Sequence, residues 1–319
     1  MRCLVTGSCG YVGSVLVPKL LDAGHEVLGL DVMWFGNHLQ PHHRLSLIKA
    51  DIRDIGGECA WLHGCDAIIH LAGIANDPCG ELDTKLTWEV NVLATMRLAE
   101  AAVKAGVKQF IFASSASVYG IQDNKPVNED SDKAPVSDYN KTKMCAERIL
   151  MSYAHKMEIK IIRPATICGV SPRMRLDVIV NLLTAQALQH AEITAHCGEH
   201  GAELMRPHCH IEDAADLYCW ILGREGHCLF NAGFDNQSVG DTAKLINEQV
   251  PSQLNVTPVS DKRSYCVDSS RLLAAGFAPN RSVRDAIQDI SKAWRECRIE
   301  TGPRTINLQW MRAQGLIQE

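Results

Sequence analysis

The sequence has no apolar run approaching the roughly 18 residues that a membrane-spanning helix needs, so no helical span is predicted. It has no surplus of one charge either. Its 32 basic and 37 acidic residues leave a net −5, which gives no electrostatic basis for binding nucleic acid or an anionic membrane. No two cysteines stand at CxxC spacing, so the 13 cysteines lack the layout of a standard zinc site. Their number is odd, and Cys3, Cys145 and Cys219 fall within core-like runs. They are read as reduced, buried thiols of a cytoplasmic protein. No leader peptide is predicted, because the first residues themselves form a core strand. Internal repeats and low-complexity linkers are also missing. What remains is 46% apolar and 22% charged residues over 319 positions, enough for one large domain or two modest ones around a real core.

The most informative stretch is Leu4 to Gly13. A short apolar strand, Cys3 to Thr6, meets three glycines spaced three apart, Gly7, Gly10 and Gly13, and an amphipathic helix follows from Tyr11 to about Ala23. Glycines permit a tight turn and close backbone approach, and a helix N-terminus offers unpaired N–H groups. Asp31 ends the next apolar run, about 20 residues on, where an acid takes the ribose hydroxyls of a dinucleotide. The pair predicts a dinucleotide site, with NAD favoured over NADP.

Further strands are predicted at Leu45 to Ala50, Ala67 to Leu71, Gln109 to Ala113 and Ile159 to Ile162, with helices over Thr84 to Ala105 and Ser137 to Lys156. Strict alternation for 160 residues predicts an α/β fold with a doubly wound parallel sheet. The loop from Val32 to His38 is either a rest for the adenosine end or a packed surface loop. Beyond Arg163-Pro164 the pattern loosens. Helices are predicted over Leu176 to His190, Ile211 to Leu222, Asp241 to Glu248 and Ser282 to Arg298, and a strand over Cys228 to Asn231. Residues 1–165 are assigned to a nucleotide-binding Rossmann domain, to which a segment of about 204–232 returns. Residues 166–319 form a smaller, interleaved α/β substrate lobe. The histidine-rich stretch 191–210 receives no element. His196, Cys197, His200, His208, Cys209 and His210 invite a metal reading, but their spacing fits no standard site, and no metal is predicted.

Tyr139 and Lys143 stand four apart on a helix, hence on one face. A lysine and the positive nicotinamide ring both favour a phenolate and lower the tyrosine pKa, making Tyr139 a base near neutral pH. Ser115, at a strand end, is placed to bond the same substrate oxygen. These three form the predicted catalytic set.

Several motifs, in this order, resemble the extended short-chain dehydrogenase/reductase family, and within it the NAD-dependent epimerases and dehydratases of nucleotide sugars. They are Thr6 to Gly13, Asp51-Ile52-Arg53-Asp54, His70-Leu71-Ala72-Gly73, Ser114 to Gly120, Tyr139 with Lys143, Arg163 to Gly169, Arg206 to Asp213 and Lys262 to Asp268. The resemblance implies roles by position. Gly7, Gly10, Tyr11, Val12 and Gly13 fall on the pyrophosphate turn, Asp31 on the ribose, and Asp51 and Ile52 on the adenine. Leu71, Ala72 and Gly73 flank the cofactor, Asn91 matches a buried asparagine near it, and Tyr139 and Lys143 touch it. On the substrate side stand Ser115, Thr166, Arg173, Arg175 and Asn181, with Arg206 and Arg263 gripping a diphosphate. The basic loop Ser171 to Arg175 either touches a phosphate or acidic sugar or is a salt-bridged helix start. Where 5,6-eliminating dehydratases carry an Asp-Glu pair, this chain has Ala116 and Ser117, which favours an epimerase over a dehydratase or reductase. A non-catalytic NAD sensor is disfavoured by the intact Ser115, Tyr139 and Lys143. A homodimer through the helices beginning near Thr84 and Ser137 is implied as well.

Overall fold

The computed structural model describes residues 1–56, 59–122, 126–259 and 264–315. Along the first half, β1 (Arg2–Thr6) enters the glycine turn and α1 (Gly13–Asp22), and β2 (Glu26–Asp31), β3 (Leu45–Lys49) and β4 (Ala67–His70) follow. Next come α2 (Asp77–Gly80), α3 (Thr84–Trp88), α4 (Ala94–Ala105), β5 (Gln109–Ala113), the two-residue β6 (Pro126–Val127), α5 (Asp138–Ser152) and β7 (Glu158–Pro164). Seven parallel strands pair in the order β11-β7-β5-β4-β1-β2-β3, where β11 (Cys228–Ala232) arrives from much later in the chain. Winding reverses between β1 and β4, so their carboxyl ends open a crevice, the usual ligand position in such sheets. Cys3, Leu4, Val5 and Ala67 to Ile69 are fully buried, as central strands covered on both faces require.

The predicted helix from Thr84 to Ala105 is present but not uniform. Between α3 and α4 the residues Glu89–Leu93 make one π turn. Asn91 lies in this turn and is buried. α4 then ends at Gly106, whose φ of 76° is the left-handed C-cap that glycine adopts without a Cβ penalty. α5 begins at Ser137, whose hydroxyl accepts from Asn140 N–H at 3.2 Å, a standard N-cap.

The smaller lobe follows β8 (Thr166–Cys168) with α6 (Ile179–His190), β9 (Glu192–Cys197), β10 (Met205–His210) and α7 (Ile211–Ile221) before β11. β12 (Asp235–Ser238), α8 (Val239–Gln249), β13 (Gln253–Pro258), β14 (Cys266–Val267), α9 (Ser270–Ala274), α10 (Val283–Arg295) and α11 (Asn307–Ala313) complete the chain. The stretch 191–210 thus holds two strands that its polar composition concealed. β9 pairs with β13, and β10 lies between β8 and β12 in a three-stranded sheet. His208 and His210 are buried on β10. Among the described residues no three His, Cys, Asp or Glu side chains group as metal ligands. No helix there is long and apolar enough to cross a membrane, and the 13 cysteines are all free thiols.

A buried polar network joins the two halves. Glu147 on α5 accepts from Ser114 Oγ at 2.5 Å and from both Nε (2.8 Å) and Nη2 (2.6 Å) of Arg163 on β7. Arg163 Nη1 donates to the Tyr119 hydroxyl, which donates in turn to Asn231 Oδ1 on β11, at 2.8 and 2.7 Å. Arg163 is 1% exposed, so its charge relies on the two-pronged carboxylate partner.

Candidate active site

A cavity of about 560 Å³ lies over the crevice, within the range of small-molecule and cofactor sites. At one end the glycine turn forms its floor. Gly7 has φ of 71°, and a Cβ there would sit 2.7 Å from Ala72 N, so only glycine allows β1 and the end of β4 to approach so closely. Gly13 is equally constrained, since its Cβ would fall 2.2 Å from the Gly7 carbonyl oxygen. Asp31, at the end of β2, accepts N–H bonds from Cys9 at 2.9 Å and Met33 at 2.6 Å. Burial pushes its carboxyl pKa up, while those two donors and Arg173 pull it down by less. Asp51, Ile52, Trp34 and Phe35 line the same end, so the aromatic loop after Asp31 belongs to the cavity.

At the other end stand Ser115, Tyr139 and Lys143. The Ser115 hydroxyl lies 2.8 Å from Ser117 Oγ and favours the ionised form of the Tyr139 phenol. Lys143 is 5% exposed; its Nζ donates to the Ala113 carbonyl at 2.8 Å and lies 5.9 Å from the Tyr139 ring centre. Burial lowers the lysine to about 8, with Glu147 opposing. Burial also raises the Tyr139 pKa; Ser115 and Arg175 lower it and the Asp77 carboxylate raises it. The sequence expectation of a depressed phenol is therefore not met by the chain alone. Lys143 is held by a backbone carbonyl and does not figure among the groups that lower the phenol.

Of the positions singled out from sequence, Gly7, Gly10, Tyr11, Val12, Gly13, Asp31, Asp51, Ile52, Leu71, Ala72, Gly73, Ser115, Tyr139, Lys143, Thr166, Arg173, Arg175 and Arg206 all line this cavity. Asn91 and Asn181 stand behind the wall. Asn91 accepts from Ile74 N–H at 2.8 Å and donates to Ile74 O at 3.1 Å and Thr142 Oγ1 at 3.1 Å, fixing the strand end to α5. Asn181 accepts from Gly169 N–H at 2.9 Å and donates to the Tyr11 hydroxyl at 2.9 Å, so it clamps the lobes together and does not face a substrate. Arg263 lies outside the described residues. Within the basic loop the salt-bridged helix start is present, and its two arginines differ. Arg175 pairs with Asp177 at 2.8 Å just before α6, whereas Arg173 turns into the cavity wall against Phe35, 3.9 Å from its ring centre.

Sequence reasoning missed Asn76, Asp77 and Asn307, which also line the cavity. Asn76 has φ 72° and ψ 161°, a region that non-glycine residues rarely occupy outside functional sites. The Asn-Asp-Pro turn directly after the β4 motif was its only available signal. Asp77 Oδ1 accepts from the Ser137 hydroxyl at 2.5 Å, which ties it to the cap of the helix bearing Tyr139.

These residues fit a dinucleotide: glycines where a Cβ would obstruct the turn, an acid at the ribose position, and two buried guanidinium nitrogens, Arg173 Nε and Arg175 Nη2, with no partner among the described residues. Comparison with known proteins agrees. The UDP-glucose 4-epimerase of Mycolicibacterium smegmatis is 33% identical over 236 residues, covering 71% of this chain and 74% of the relative. The structure of MoeE5 with UDP-glucuronic acid and NAD matches at a TM-score of 0.81 and 26% identity, covering 93% of this chain and all of that one. The fold is also shared with the dTDP-glucose 4,6-dehydratase DesIV of Streptomyces venezuelae, at a TM-score of 0.82 and 24% identity over 93% of this chain and 98% of that one. Residues 3–233 match the family model itself, and the chain belongs to the NAD dependent epimerase/dehydratase family.

Proposed function

We propose that this enzyme is an epimerase of a nucleotide-activated sugar, inverting one ring carbon, carbon 4, by oxidation to a ketone and re-reduction. The observation that carries this reading is the convergence of Ser115, Tyr139 and Lys143 at one end of the cavity beside Ala116 and Ser117, neither of which can serve as the acid/base pair of an elimination. NAD, when bound, supplies an acceptor for the substrate's hydride and returns it. Gly7, Gly10, Gly13, Asp31, Asp51 and Ile52 would hold it. Tyr139 then accepts the proton of the sugar hydroxyl and gives it back, as a group hydrogen-bonded in the site can do in both directions. Ser115 positions the reacting oxygen. Lys143, buried and drawn to the Ala113 carbonyl, orients the cofactor ribose. Arg206, on the cavity wall, is assigned to the substrate diphosphate, for which a guanidinium fork is suited, with Thr166 of the neighbouring strand β8 on the same wall.

The second reading, a dehydratase, has one observation in its favour. Asp77 puts a carboxylate in the cavity wall, close enough to act on the Tyr139 charge, and could replace the missing elimination pair. Incubation with a panel of sugar nucleotides separates the two. A product of unchanged mass whose proton spectrum shows an inverted centre supports the epimerase; loss of one water supports the dehydratase and overturns our first reading. Tyr139→Phe should lower turnover by about 10²–10⁴-fold with NAD still bound. Near-normal turnover would remove Tyr139 from the role.

We further assign residues 1–165, with 204–232, to cofactor binding and the remainder to substrate binding, in a cytoplasmic homodimer. Leu93 and Met151, 46% and 47% exposed at the helices expected to pair, support that dimer.

A further inference from the structure

The loop after β8 is bolted to the glycine turn. Ser171 Oγ donates to Tyr11 O at 2.7 Å and lies 2.9 Å from Ser14 Oγ, and the Tyr11 hydroxyl donates to Gly169 O at 2.7 Å. These bonds deliver Arg173 to the cavity on the Asp31 side, 3% exposed, with its guanidinium on Phe35. Its Nη2 donates to Asn307 Oδ1 at 2.5 Å, and its Nε finds no partner among the described residues. The nearest acids are already engaged: Asp31 by two backbone N–H groups, Asp177 by Arg175 and by Asn307 N–H at 3.0 Å. A buried guanidinium left with an orphan donor is costly unless an anion completes it.

Asn307 comes from the far end of the chain. Its segment is attached on both sides of the cavity mouth: Thr305 O accepts from Leu176 N–H at 2.8 Å, and Trp310 Nε1 donates to Trp34 O at 2.6 Å. It therefore bridges the loop that carries Arg173 and the loop that follows Asp31.

We propose that Asn307 and the C-terminal segment around it are part of the NAD site, holding Arg173 as a cationic wall for the diphosphate of the cofactor, opposite the glycine turn. Retention of NAD is then set partly by the last helix, with the substrate lobe closing on the cofactor through Arg173.

The test uses the full-length enzyme and measures NAD itself, independently of the reaction catalysed. Arg173→Gln and Asn307→Ala are each stripped of cofactor, checked for an unchanged circular dichroism spectrum, and titrated with NAD, ADP and adenosine. Loss of a charge-assisted bond predicts affinity for NAD and ADP weakened by about ten- to hundredfold, with adenosine affinity unchanged. The double variant should be little worse than Arg173→Gln, because Asn307 acts through Arg173. Unchanged NAD affinity in Asn307→Ala overturns the proposal. Equal weakening for adenosine also overturns it. If Arg173→Gln fails to fold, Asn307→Ala decides alone.

Discussion

Substituting alanine into the glycine turn gives a graded test of how the fold makes the cofactor site. A Cβ on Gly13 would lie 2.2 Å from the Gly7 carbonyl oxygen and 2.7 Å from that of Ser8. Carbon and oxygen approach no closer than about 3.3 Å, so the start of α1 must retreat by about 1 Å, and both obstacles are backbone. Overpacking of this kind costs about 1–3 kcal/mol, a fall in melting temperature of about 1.5–4.5 °C for a chain of this size. The same retreat moves the N–H groups that we assign to the cofactor phosphates. Affinity for NAD should drop at least about tenfold, as when one charge-assisted bond is lost. Gly10 is different, since its Cβ would meet only the Gly7 oxygen at 3.1 Å, and Gly10→Ala should keep most of its NAD. Gly106 supplies the control. Its φ is 76° with nothing within 4 Å of a Cβ, so Gly106→Ala loses about 1–2 kcal/mol to backbone strain alone. Melting curves and NAD content by chromatography of the released nucleotide read out all three. Wild-type NAD affinity in Gly13→Ala, or equal loss in Gly106→Ala, would refute the reasoning.

Three further outcomes are expected. Glu147→Gln leaves the Arg163 charge buried and unpaired and should destabilise the fold by about 3–5 kcal/mol, measured by urea unfolding. Burial holds His70 and His208 down at about 3, with Lys143 and Arg206 adding to the shift in turn. Each therefore binds a proton in the unfolded chain but not in the folded one between pH 6.5 and 3. Stability should be flat above pH 6.5 for these groups and fall as pH drops, by up to about 1.4 kcal/mol per pH unit for each histidine. His70→Gln should flatten part of that slope. Leu93→Glu should convert a dimer to monomers in analytical ultracentrifugation while leaving the melting temperature of the monomer fold little changed.

Much of the first half was legible because its signals are local. The glycine spacing, the acid ending β2, and the strand–helix alternation each reflect backbone requirements within one unit. Tyr139 and Lys143 were legible for the same reason, being one helical turn apart. What was hidden depends on meetings across the chain. That Arg173 carries charge is plain from sequence; that it faces the Asp31 end follows from Ser171 and Tyr11, 160 positions apart. Asn307 had no periodic or motif signature at all. The π turn at Asn91 escaped because residues 84–105 read as one continuous helical period. β10 escaped because it is built from arginine, proline, histidine and cysteine without alternation, and β9 because only Ile193 and Ala195 alternate inward in it.

The return of β11 to the edge of the main sheet has a consequence during synthesis. When Pro164 leaves the ribosome, β7 is complete, but its outer edge has no partner until Ala232 has been made. At roughly 5–20 residues per second, that interval is on the order of ten seconds. Throughout it Arg163 lacks the Tyr119–Asn231 link, and a hydrophobic parallel strand, Ile159 with Ile161 and Ile162, presents an open edge. The nascent chain is therefore most exposed to mispairing between residues 165 and 232, and slowing translation there should raise its dependence on chaperones more than slowing it anywhere in the first 100 codons.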